Sequence, residues 1–89
     1  MNAFTGMDIA QVRSLARQMS DEAIEIRRLL QALTHELEGA PWDGVDRQRF
    51  VSEWNSRHAK ALDRVERSLR DAAAQANEYA RRQEAASRS

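Results

Sequence analysis

The sequence predicts an all-α protein, a two-helix antiparallel hairpin with a Trp-x-Gly turn that dimerises into an elongated four-helix bundle. Three observations carry this expectation. Two long stretches place apolar residues at helical spacing. One break, Gly39-Ala40-Pro41-Trp42-Asp43-Gly44, separates them and holds the only proline of the 89 residues. The apolar stripe of the first stretch is also broader than one neighbouring helix can cover.

In the first stretch, taking Val12 as heptad position a puts Val12, Met19, Ile26 and Leu33 at a, and Ile9, Ala16, Ala23, Leu30 and Leu37 at e. Position d alternates Leu15 and Leu29 with Glu22 and Glu36. Thr5 stands three residues before Asp8 as a cap-like pair, and Gly39 occupies the place of a left-handed glycine after the last turn. The expected first helix runs from about 7 to 38, on the order of 45 Å at 1.5 Å per residue. Ile24 falls outside the stripe, either as an isolated exposed residue or as a partner contact.

The turn spans 39–44. Ala40 precedes proline and is biased toward extended backbone, and Pro41 cannot continue the ladder of hydrogen bonds. Asp43 is placed to cap the next helix, with Asp46 favoured in its first turn by the helix dipole. The expected second helix covers about 45–83, its apolar positions including Phe50, Trp54, Leu62, Val65, Leu69 and Tyr79. Glu53 with Arg57, Asp63 with Arg67, Glu66 with Arg70 and Glu78 with Arg82 set acid before base at i,i+4, a solvated decoration of the helix. Residues 84–89 turn small and polar and are expected to fray. All 89 residues thus form one helical-hairpin domain.

A chain this small gains little from burial alone, so two hairpins should share a core. The candidate core and dimer residues are Val12, Leu15, Met19, Ile26, Leu30, Leu33, Leu37, Phe50, Trp54, Leu62, Val65 and Leu69. Charge follows the same division. The 14 basic and 14 acidic residues balance, but residues 1–44 carry four bases against seven acids, net −3, and residues 45–89 carry the complementary +3. Two chains packed antiparallel could bring unlike halves together.

Composition excludes several functions. Without cysteine there is no disulfide framework and no thiolate metal site. His35 and His58 have no second histidine at i+3 or i+4, and there is neither a glycine-rich phosphate loop nor a strand-to-helix serine elbow. No enzyme, cofactor, metal or small-molecule substrate is expected. Arg57, Lys60, Arg64, Arg67 and Arg70 suggest an alternative, a helical adaptor or nucleic-acid-binding module, but Asp63, Glu66 and Asp71 interleave with them. Residues 1–7 lack the basic and apolar regions of a Sec signal, and no run approaches a membrane span.

The plan of short N-terminal segment, helix, Trp42-Asp43-Gly44 turn and second helix, followed by Phe50 and Trp54, resembles the WXG family of roughly hundred-residue, ESAT-like substrates of type VII (ESX) secretion. The likeness covers nearly the whole chain. It implies a hairpin made in the bacterial cytoplasm, paired with itself or a related WXG-type chain, recognised by a secretion ATPase, and exported folded to the surface or medium. It also implies that Trp42 and Gly44 belong to an export surface as well as closing the bend. The family's second export element, a tyrosine followed four residues later by an acid, could come here only from Tyr79, but Gln83 stands where the acid is expected. Glu84, one place later, is rotated away by about 140°. Either a partner carries the complete motif or the secretion system accepts glutamine.

Overall fold

The computed structural model describes residues 8–42 and 44–88. It is an all-helical hairpin measuring 66 × 17 × 16 Å, formed by α1 (Ile9–Gly39), α2 (Val45–Glu53) and α3 (Ala59–Arg88), with a π-helical turn, Trp54–His58, joining α2 to α3. The second arm is one rod with a wide turn in it.

Helix α1 starts at Ile9 because Asp8 is itself the cap. Its backbone is extended and its Oδ1 accepts the Gln11 N–H at 3.1 Å, satisfying a donor of the first turn. The cap expected at Thr5, and Met7, lie outside the described residues. At the other end Gly39 is not the left-handed terminator that the sequence suggests. It is the last helical residue, and Ala40 closes α1 with extended backbone (φ −65°, ψ 139°), the conformation that the proline after it favours. Arg47 donates to the Glu38 carbonyl at 2.7 Å and occupies one acceptor left open by the helix end. Asp43, the expected cap of the second arm, lies outside the described residues; Gly44 occupies the cap position without a side-chain bond.

The tail also departs from expectation. Helix continues through 84–88, where Ser87 donates to the Gln83 carbonyl and Glu84 accepts from both Arg88 and Arg13 of the opposite arm. These bonds tie the last turn to the hairpin and offset the fraying that its composition suggests.

The arms meet along a seam of small side chains. Ala16, Ala23 and Leu30 of α1 face Ala73 and Ala80 of α3, and Ala16, Ala23 and Ala80 are fully buried. Seven-residue spacing in both arms keeps this row turned inward, and alanine lets the backbones approach closely. A uniform alanine seam would tolerate a slip of one heptad. Glu66 opposes such a slip: it is only 5% exposed and accepts from Arg27 across the hairpin and from Arg70 on its own helix, each at 2.8 Å, while Arg27 also reaches Asp63. A buried charge without its partners costs several kcal/mol, so out-of-register pairing is penalised. Glu66–Arg70, expected as surface decoration, therefore belongs to the internal structure.

The Arg27 guanidinium holds the Asp63 and Glu66 carboxyls below their ordinary range, with Arg70 adding to the effect at Glu66. Depressed folded-state values mean that this stabilisation is fully present above the ordinary carboxylate range and is lost as pH falls through the lowered values. The melting temperature followed by circular dichroism should accordingly be flat from neutral pH down to about 5 and fall below about 4. Glu66→Gln should lower it at pH 7 and flatten the acid limb. An unchanged acid limb in that variant would remove Glu66 from this account.

Candidate docking face and hairpin bend

The two flanks of the seam differ in chemistry. On one side Arg13 pairs with Glu84 at 3.0 Å, and Arg27 with Asp63 and Glu66. On the other side, in the rows next to the seam, Val12, Met19 and Ile26 of α1 and Leu62 and Leu69 of α3 are half-buried. Leu33, which continues the α1 row, is exposed at the bend end, and beyond these rows Leu15 and Leu29 and, across the hairpin, Val65 and Tyr79 are exposed, Leu29 at 52% and Tyr79 at 51%. At 100° per residue these rows turn to the same side of the antiparallel pair. The hairpin thus has an ion-paired side and an apolar side, and the apolar side is uncovered within one chain.

At the bend this face opens into a groove of about 320 Å³ lined by Leu33, Glu36, Leu37, Phe50 and Trp54. Trp54 spans the seam here, its indole N–H donating to Thr34 Oγ1 at 2.8 Å. The π turn begins at Trp54, and its ring lies 6.1 Å from that of His58, an exposed residue. Thr34→Val would leave the half-buried indole donor without its acceptor. A loss of about 1 kcal/mol in urea unfolding is expected; no loss would mean that the bond contributes nothing to holding Trp54 across the seam.

Trp42 packs obliquely on Phe50, ring centroids 5.4 Å apart, and is 39% exposed. It therefore both closes the bend and presents part of its indole to solvent. Gly44 has φ +99°, and the space where a Cβ would stand is open. The need for glycine here is conformational: an L side chain is strained at that angle whatever the room around it. Together, Pro41 and Gly44 bring the chain around so that Phe50 meets Trp42.

The sequence-derived core residues are divided by the structure. Leu30 is buried, and Val12, Met19, Ile26, Leu37, Trp54, Leu62 and Leu69 are half-buried. Leu15, Leu33, Phe50 and Val65 stand exposed on the apolar side. Tyr79 and Trp42 are not brought together within the chain. Arg13–Glu84 places Tyr79 near the open end of the hairpin, away from the bend. Gln83 is half-buried beside it, whereas Glu84 is occupied by Arg13, which lowers its pKa, and by Arg88. Ile24 is exposed on the other flank.

Two features escaped the periodicity reading, the burial of Glu66 and the π turn. The first had a signal, because Glu66 lies seven residues before Ala73 in the seam row. The arginine run on the second arm is partly neutralised, Arg67 pairing with Asp63 and Arg70 with Glu66. Among the described residues no group of three histidine, cysteine or acidic side chains is placed to hold a metal ion, and no helix is long and apolar enough to cross a membrane. A scan of protein-family models and searches of curated proteins and solved structures found no match to this chain.

Proposed function

We propose that this chain is an ESAT-like hairpin of the WXG type, a substrate or co-substrate of type VII (ESX) secretion. It acts by pairing with itself or a related chain in a four-helix bundle that is exported folded. The observation that carries this reading is the Trp42-x-Gly44 bend, with Gly44 at positive φ and a partly exposed Trp42 braced by Phe50, standing at one end of an uncovered apolar face.

Pairing follows from the physics of that face. Exposed Leu15, Leu29, Leu33 and Val65 are carried in contiguous rows, and covering apolar area is favourable by about 25 cal/mol per Å². A second hairpin laid on this side completes the bundle and brings a second set of helix ends to Trp42. The secretion ATPase then reads the bend together with its neighbour. Tyr79, exposed on the same side with Gln83 below it, supplies an incomplete partner element.

The test is export. In a host with a functioning type VII system the tagged chain should accumulate in the medium or on the cell surface, and deleting the translocation ATPase should retain it in the cell. Equal release with and without the ATPase would overturn the reading.

A further inference from the structure

The outer surface of the second arm, on the ion-paired side of the hairpin, carries a stripe of basic residues. Arg57, Lys60, Arg64 and Arg67 follow at spacings of three, four and three, which lines them along one helix face over about 15 Å. All four are exposed. In the sequence, acids are interleaved with them, but the structure directs these acids elsewhere. Asp63 and Glu66 turn toward α1 and accept from Arg27, and Glu66, only 5% exposed, also accepts from Arg70. Glu53, four residues before Arg57, stands beyond the π turn and forms no ion pair with it.

A local excess of positive charge results, in a chain whose net charge is zero. Between Glu53 and Asp71, which bound the stretch, Arg57, Lys60, Arg64, Arg67 and Arg70 are joined by Arg27 from α1, and only the carboxylates of Asp63 and Glu66 offset them. Arg57, Lys60 and Arg64 make no ion pair or hydrogen bond among the described residues. Arg67, although paired with Asp63, keeps 74% of its side chain in solvent.

The chemistry of the stripe selects its partner. Three of the four cations are arginine, whose planar fork matches the paired oxygens of a phosphodiester. Cations repeated at each helical turn suit a polymer that presents phosphates in series, and duplex DNA carries about one charge per 1.7 Å of axis. Ala61 and Ser68 flank the stripe, so it offers neither an aromatic ring on which an unpaired base could stack nor a large apolar side chain to enter a bilayer.

We infer that this stripe binds the phosphate backbone of a nucleic-acid duplex without regard to base sequence. The stripe lies outside the docking face, so the inference stands or falls independently of pairing and export. Because the acids of the stretch are spent on Arg27 and Arg70, attraction is confined to this one surface of an otherwise neutral chain.

The experiment is fluorescence anisotropy of a labelled DNA duplex of about 20 base pairs, titrated with the full chain at 50 and 200 mM salt. With about three phosphate contacts, the affinity should fall on the order of 40-fold between the two, from a log-log slope of about −0.9 per contact. Arg57→Gln/Lys60→Gln/Arg64→Gln should weaken binding at low salt at least about tenfold and flatten the salt dependence, with the circular dichroism spectrum unchanged. Arg17→Gln/Arg81→Gln/Arg82→Gln makes the same change of net charge outside the stripe and should weaken binding by less than about threefold. Equal losses in the two variants, binding that ignores salt, or no binding at 50 mM would each overturn the inference. A single strand held as tightly as the duplex, or phosphatidylglycerol vesicles bound where the duplex is not, would overturn the choice of partner.

Discussion

Trp42→Ala is expected to abolish export while leaving the hairpin folded. The indole packs on Phe50 but keeps 39% of its surface in solvent, so its removal costs one aromatic contact, about 0.5–1.5 kcal/mol, and opens no closed cavity. Helicity and pairing should persist, because the alanine seam and the Arg27–Glu66 contact lie in the body of the hairpin, away from the bend. The measurement is the chain in medium against the chain in cells, with circular dichroism on the purified variant. Export at the normal level would remove Trp42 from recognition and leave it as a packing residue. Gly44→Ala makes a useful comparison, since it strains the bend at φ +99° while keeping the indole.

Ala23→Leu should produce the largest loss of stability. Ala23 is fully buried at the middle of the seam, between Ala16 and Leu30, where the arms are held by small side chains. Three added carbons must push the helices apart or adopt strained rotamers, costing about 1–3 kcal/mol. In a chain of 89 residues that is a large part of the expected stability. Separation of the arms would also stretch the Arg27–Asp63 and Arg27–Glu66 contacts, so urea unfolding should show a lower midpoint and thermal unfolding a broader transition. A midpoint equal to that of the unaltered chain would mean that the seam is looser than its burial indicates.

Periodicity and punctuation made the hairpin legible: Pro41 between two helical patterns predicts two arms, and their boundaries fall within a few residues of those observed, apart from the tail. At Gly44 the residue type alone does not separate a need for room from a need for positive φ, and the open space beside it selects the conformational reason. Gly39 was misread because glycine after a periodic run signals a left-handed terminator, whereas here Ala40 before Pro41 already ends the helix with extended backbone. The residues closing the hairpin were harder to find. A search for large apolar side chains weights Leu15 and Leu33 above Ala16 and Ala23, yet close approach of two helices selects the smallest side chains for the seam and turns the larger ones to the flank. The burial of Glu66 depends on Arg27, 39 residues earlier, a contact between arms that no local pattern contains.

The most direct test of the central claim, that the apolar side is where a partner hairpin sits, is photo-crosslinking in the producing cell. A benzophenone side chain would be placed at position 29 on that side or at position 21 on the outer surface of α1. The expected result is an adduct of about twice the 10.2 kDa chain mass from position 29 and none from position 21. Absence of an adduct at position 29, or equal adducts from both positions, would contradict the docking face and the paired form of the protein that depends on it.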